Sequence, residues 1–253
     1  SPMIDTILIF AMATAGIHFG LIYATVTGKR SNIFRSEVTR WYLGMLFAGG
    51  LLIAVSLYAA DIYPAFTSAF RHGLFQFVSV VTTTGFATAD SNQWTSFAVI
   101  LLIFGSIVCA CAGSTAGGIK TVTFGLLVIA AFRVARGSKD VVVMKRRVDT
   151  GMLLRALSIT VISLMVICLG AFLIALVDGL TFEDVLFETF SAFGTVGVTT
   201  GITTQFSYFG KLLLMAMMFF GRVGILTITY EIMVGLHGEK DPLRRPKAEL
   251  LIG

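Results

Sequence analysis

Two short stretches of this chain combine residues suited to holding a cation stripped of its water. They are Thr82-Thr83-Thr84-Gly85 and Thr195-Val196-Gly197-Val198. An extended Thr/Gly segment can aim backbone carbonyls at one point, which is how carbonyl-ring filters replace a hydration shell. Glycine suits such a turn because it reaches φ values other residues resist and leaves room beside the backbone. If a helix ends just before each turn, its C-terminal partial negative charge favours the same cation.

The two stretches are copies of one unit. FRHGLFQFVSVVTTTGFAT begins at Phe70 and FEDVLFETFSAFGTVGVTT at Phe182, a constant offset of 112 residues. The offset pairs Leu74 with Leu186, Ser79 with Ser191, Thr83 with Thr195, Gly85 with Gly197 and Thr88 with Thr200. In each copy an aromatic, half-polar helical stretch runs into the turn, and each copy lies between long apolar segments. Irregular backbone is excluded from lipid and tolerated only when buried in protein or lining a hydrated path. Ordinary surface turns would account for one copy. Two copies at one offset, each between apolar spans, favour a re-entrant pore loop.

Composition fits. Of 253 residues 56% are hydrophobic and 13% charged, against about a quarter charged in a soluble globule. The apolar runs are far longer than barrel strands, so the expectation is an all-α integral membrane protein. Cys109, Cys111 and Cys168 lie in apolar stretches, as small core residues do. The net charge of +5 resides in short loops and not in a nucleic-acid-binding face. Basic residues gather at Lys29, Arg30, Arg35 and Arg40, from Arg133 to Arg155, and at Lys240, Arg244, Arg245 and Lys247, which the positive-inside rule assigns to the cytoplasm. The loops bearing the repeats hold Asp61, Asp90, Asp178, Glu183, Asp184 and Glu188 and are expected outside, as an acidic mouth that concentrates cations.

The elements that position the turns follow in order. Residues 3–27 predict one helix, 41–60 a span, 70–81 a re-entrant helix and 82–88 the first turn. Residues 151–177 predict the next span, 182–193 the second re-entrant helix, 194–201 its turn and 209–236 a closing span. Residues 94–136 are too long for one crossing: as a helix they would reach roughly 65 Å, against about 30 Å of hydrocarbon. The small residues and glycines of CACAGSTAGGIK, Cys109 to Lys120, mark the break. It falls beneath the first turn and is expected to line a cavity. A small-residue packing seam is the alternative, and Gly113 and Gly117 have its spacing, although a seam needs neither Ser114-Thr115 nor Lys120. Arg222 falls in mid-span, where a guanidinium faces a polar interior or a partner.

Enzymatic motifs are missing. HExxH is absent, and His18, His72 and His237 are far apart in the chain. AGSTAG misses GxSxG, and GSTAGGIK lacks the Gly-Lys-Ser/Thr order of a phosphate loop. An alternating-access transporter with broken helices commonly has inverted repeats, whereas these two are expected to enter from the same side.

TTTGF, FSAFGTVGVTTG, CAGSTAGGIK in a broken helix and GRVGILT in the last span together resemble the TrkH/KtrB family of potassium transporters, over nearly the whole chain. The resemblance implies a pore of four covalently linked repeats, each a span, pore helix, filter loop and span as in a potassium-channel subunit. Residues 1–36 would be the closing helix of a preceding repeat and a cytoplasmic loop, 37–148 the third repeat, and 149–253 the fourth repeat with a cytoplasmic tail. About half of the pore would then lie outside this sequence; either two copies of this chain assemble a four-repeat pore, or this half-length chain is inactive alone.

It further implies that Gly85 and Gly197 are filter glycines, with Thr82, Thr83, Thr84, Thr195, Val196 and Val198 around the ion. Gly113, Ser114, Thr115, Ala116, Gly117 and Gly118 would form a gate loop, usually GSTGGG in the family, so Ala116 is a departure. Lys120 would cap that loop toward the cytoplasm, and Arg222 would oppose cations beside it. Potassium would be the transported ion, with sodium or a proton as coupling ion and no covalent cofactor. The implied partners are the lipid bilayer, a second copy in a homodimer and a cytoplasmic nucleotide-binding regulatory subunit of TrkA/KtrA type. The implied location is a bacterial or archaeal cytoplasmic membrane.

Overall fold

The computed structural model describes residues 1–28, 33, 36–137, 141–143 and 146–224. Nine α-helices and two short 3-10 turns occupy the described residues, with two strand pairs of two residues per strand added to the all-α expectation. Helices α3 (Glu37–Ala59) and α7 (Thr150–Asp178) are long and apolar enough to cross a membrane. Ser36 Oγ starts α3 by accepting the Thr39 N–H at 3.3 Å, and Asp149 starts α7 by accepting the Gly151 N–H at 3.0 Å.

The expected single helix over 3–27 is two helices, α1 (Pro2–Ala15) and α2 (Phe19–Val26), bent by 99°. Gly16 and Gly20 weaken helix propensity there, and His18 Nδ1 accepts the Gly20 N–H at 2.9 Å to start α2 afresh. A side chain at Gly16 would meet the Tyr42 hydroxyl at 2.1 Å.

Helix α4 (Phe66–Val81) begins about a turn earlier than the expected 70–81, soon after Pro64. It packs along α3, where Gly49 admits the ring of Phe77: a Cβ on Gly49 would be 2.2 Å from that ring. The segment expected to break does so. Helix α5 (Ser96–Ile107) gives way to β1 (Val108–Cys109), a loop, β2 (Ile119–Lys120) and α6 (Thr121–Ala135). Strands β1 and β2 pair in parallel, Val108 with Ile119 and Cys109 with Lys120, so the loop between them makes a full circuit. The other pair, β3 (Val142–Val143) and β4 (Arg146–Arg147), is antiparallel.

The second unit is α7, α8 (Phe182–Gly194) and α9 (Tyr208–Val223). The remainder of the expected 209–236 span, the tail with its lysines and arginines, and Lys29, Arg30, Arg35, Lys139 and Lys145 lie outside the described residues. One apolar core joins α1, α3, α4 and α5 through Met12, Tyr42, Ile53, Phe75, Phe77 and Leu102. Ile167, Phe190, Phe193 and Met217 form a core of the second unit, and Ile103 and Ile107 of α5 pack against it.

Candidate functional site: two turns and the loop between them

The two Thr/Gly turns have the same backbone. After α4 the Thr84 N–H donates to Ser79 O at 2.9 Å and the Thr83 N–H to Val80 O at 3.1 Å. After α8 the Val196 N–H donates to Ser191 O at 2.9 Å and the Thr195 N–H to Ala192 O at 3.0 Å. This is the Schellman helix ending, in which a left-handed residue lets the chain turn back over the last helical carbonyls. The left-handed position normally goes to glycine. Here it is Thr83 (φ 55°) in one copy and Thr195 (φ 57°) in the other, two β-branched residues in an uncommon conformation. Two residues on, Gly85 (φ 77°) and Gly197 (φ 87°) are left-handed as well.

The turns meet. A Cβ on Gly85 would lie 2.5 Å from Val196 O, so the first glycine's backbone abuts the second turn. Asn92 Nδ2 ties the segments that follow by donating to Thr200 O at 3.2 Å. Within the first turn Thr82, buried, shares a hydrogen bond of 2.7 Å with Thr84 through their hydroxyls. In the second, Ser191 Oγ donates to Val198 O at 2.5 Å, so that carbonyl is turned back onto α8. Beside Gly197 a Cβ would meet nothing, so that face of the turn is open.

The 110–118 loop lies against the end of both short helices. The Ala110 N–H donates to Val81 O, the last carbonyl of α4, at 2.9 Å. At Gly117 a Cβ would stand 2.3 Å from Thr195 Oγ1 and 3.0 Å from Gly194 O, so only a glycine lets the loop press against the second turn. Thr195 Oγ1 is itself buried without a hydrogen-bond partner.

Charge holds the loop from two directions. Lys120 Nζ donates to Ala116 O and, at 3.3 Å, to Gly117 O. Arg222 Nη1 donates to Thr115 O, and one residue earlier Gly221 O accepts the Gly118 N–H at 3.1 Å. Ser114 Oγ closes the loop locally by donating to Cys111 O at 2.6 Å. The structure thus brings Gly113 to Gly118, Lys120, Arg222 and Thr195 to one place.

Several residues that shape the site are not evident in the sequence. Glu188, expected in an acidic mouth, is buried in α8. Its carboxylate accepts from the Thr199 hydroxyl, the Thr200 N–H at 2.9 Å, the Thr200 hydroxyl at 3.3 Å and the Thr203 hydroxyl at 3.0 Å. It therefore braces the chain leaving the second turn. Its repeat partner Gln76 donates from Nε2 to Ala89 O at 2.6 Å. Asp178 is likewise structural, accepting the Ser207 N–H at 3.2 Å. The signal for Glu188 was the repeat itself, which sets a glutamate opposite a glutamine inside a helix. Among the described residues no group of three or more His, Cys, Asp or Glu could hold a metal ion.

Long apolar helices, two short helices ending in matched Thr/Gly turns and a broken helix looped against them define a helical membrane protein of the ion-transport class. The TrkH family, described as cation transport proteins, matches residues 2–240, and the chain belongs to that family. Among its relatives, Ktr system potassium uptake protein B of Bacillus subtilis (strain 168) is 27% identical over all of this chain and 57% of its own length. Ktr system potassium uptake protein D of the same organism is 32% identical over 86% of this chain and 48% of its own length. The potassium transporter TrkH from Vibrio parahaemolyticus has the same fold, with a TM-score of 0.80 at 22% identity over 92% of this chain and 52% of that one. The chain spans about half the length of the curated relatives it matches.

Proposed function

We propose that this chain supplies two pore repeats of a potassium uptake system, the units 37–148 and 149–253, with residues 1–36 closing a preceding repeat. The observation that carries this reading is the meeting of two turns of identical backbone at Gly85 and Val196, with the 110–118 loop pressed on the second through Gly117. In this reading Thr82–Gly85 and Thr195–Val198 are the filter, and carbonyls of Thr83, Thr84, Thr195 and Val196 replace water around the ion. Residues 113–118 form the gate, held shut by Lys120 and Arg222. Their two positive charges also repel a cation that reaches the loop, and a desolvated site strengthens that repulsion.

The filters face outside, and the basic segments and the tail face the cytoplasm of a bacterial or archaeal cell. The transport unit is a homodimer controlled by a cytoplasmic nucleotide-binding subunit of TrkA/KtrA type. Potassium is the cargo. A relative named potassium/sodium uptake protein NtpJ, from Enterococcus hirae, is 31% identical over 68% of this chain and makes sodium the competitor to examine.

The test is potassium-competed rubidium uptake into liposomes holding this chain, alone and together with two further pore repeats. Wild-type uptake is expected, and Gly197→Ser is expected to lower it about tenfold, the effect of losing about 1.4 kcal/mol of ion coordination. Uptake that ignores Gly197→Ser would overturn the filter assignment.

A further inference from the structure

The elbow between α1 and α2 is built into the 110–118 loop. Ending α1 at Ala15 and restarting at Phe19 leaves main-chain groups without helical partners, and membrane interiors offer none. The loop supplies them. The Cys111 N–H donates to Gly16 O at 3.1 Å, the Thr115 hydroxyl to Ala15 O at 3.3 Å, and the Phe19 N–H to Gly113 O at 3.0 Å. From α3 the Tyr42 hydroxyl donates to Ala13 O at 3.1 Å and fixes the elbow in place. The fit is close as well: a Cβ on Gly113 would be 2.7 Å from the His18 ring, and one on Gly16 would be 3.0 Å from the Ala110 methyl.

The loop therefore has two sets of tethers. Arg222 and Gly221 of α9 hold Thr115 and Gly118, and the elbow holds Cys111, Gly113 and Thr115. We propose that the α1–α2 elbow, through the Phe19 N–H, Gly16 O and Ala15 O, is a positioning element for the gate loop that acts independently of Lys120 and Arg222. A loop freed from Lys120 and Arg222 alone stays in place on its 111–115 side. It moves only if the elbow moves with it. Helix α2 runs from the elbow to Val26, so a shift of α2 is carried to the loop through the Phe19 N–H. The transport consequence rests on the gate reading above. The positioning itself does not.

Relative to Phe19→Ala, Phe19→Pro removes one hydrogen bond and little else. Phe19 is the first residue of α2, where proline is tolerated because that N–H has no partner within the helix. The preceding His18, at φ −58° and ψ 118°, already has the extended backbone that a following proline demands. Phe19→Ala keeps the N–H and is the reference. Two readouts apply, in the assembled transporter with Cys109 and Cys168 replaced by alanine. The first is the rate at which a small thiol reagent labels Cys111, which is buried. The second is rubidium uptake.

Phe19→Pro is expected to label about fivefold faster than Phe19→Ala, the shift expected from losing one hydrogen bond, and to leak rubidium faster. Equal labelling in the two variants overturns the proposal. Faster labelling with unchanged uptake upholds the elbow as a positioning element and rejects the loop as the gate. If Phe19→Pro does not accumulate, Tyr42→Phe carries the test, since it frees Ala13 O and keeps the ring that packs beside the loop. Cys111 labelling about twofold above wild type is then expected from a weaker, indirect release, and an unchanged rate overturns the proposal.

Discussion

The two units turn the chain identically but brace it differently. Both short helices end in the same Schellman hydrogen bonds around a left-handed threonine. Behind the first turn the braces are an amide and an imidazole: Gln76 donates to Ala89 O, and His72 shares a hydrogen bond of 3.1 Å with the Thr88 hydroxyl. Behind the second they converge on one carboxylate, Glu188, with Ser191 reaching Val198 O. Ser79, the counterpart of Ser191, has a buried hydroxyl with no partner. The turn is thus a property of local backbone, whereas the stiffness behind it depends on side chains that differ between the units. The closing segments differ too. The first breaks at Val108, while α9 continues to Val223, with Gly221 at the repeat position of Cys109.

Exchanging the braces tests the comparison most severely. Gln76→Glu would bury a carboxylate against the carbonyl of Ala89, with none of the threonine donors that surround Glu188. An unpaired buried charge costs about 3–5 kcal/mol. Thermal unfolding in detergent should show a loss of that order, with little assembled protein. A melting temperature within a degree or two of wild type would mean that the two positions are interchangeable.

Gly221→Ala comes next. The methyl would lie 1.7 Å from Phe193 O, a main-chain atom that cannot step aside without moving α8. Overpacking of this kind costs about 1–3 kcal/mol. The same unfolding assay should show it, and rubidium uptake should change too because Gly221 O holds Gly118. Cys109→Ala, at the matching position of the first unit, should cost less, since it only removes a sulfur that donates to Ser106 O at 3.3 Å.

Glu188→Gln makes the second brace resemble the first. Glutamine keeps one acceptor oxygen and turns an amide toward threonine hydroxyls, so part of the cluster survives. Hydrogen bonds to charged groups contribute about 1.5–3 kcal/mol, and a loss near the lower value is expected. The informative readout is sodium competition against rubidium uptake, which should strengthen as the segment after the second turn loosens. Unchanged competition would show that bracing this segment does not bear on ion choice.

Much of this arrangement was legible in the sequence, for local reasons. The repeat announced both turns, because a helix ending of this type is set by a few consecutive residues. Three glycines between Ala112 and Ile119 announced the break, because they lower helix propensity in the middle of a segment too long for one crossing. The elbow at Gly16–His18 was missed. Its surroundings are apolar, and what decides the bend is a loop about a hundred residues away that takes its backbone hydrogen bonds. Glu188 was read as surface charge because a single carboxylate carries no sign of burial until the threonines at 199, 200 and 203 fold back over it. Residues whose role depends on distant neighbours stayed hidden, and those whose role lies in the next few residues did not.

The finest test concerns Thr83 and Thr195. A β-branched residue in the left-handed region costs about 1–2 kcal/mol, and glycine would remove that cost while paying about 0.5–1 kcal/mol in chain entropy. Thr83→Gly and Thr195→Gly should therefore each stabilise the fold by only about 0.5 kcal/mol. At Thr195 the gain should be the larger, since its buried, unpartnered hydroxyl disappears as well. Yet a threonine at both equivalent positions holds the next carbonyls in one direction, which a glycine would not. More stable variants that discriminate potassium from sodium less well would show that the strain serves to fix the carbonyls. If discrimination is intact in both, the shared threonines are incidental and the turns owe their geometry to Gly85 and Gly197 alone. A loss confined to Thr195→Gly would place the effect in its contact with Gly117, and so in the loop and not in the turn.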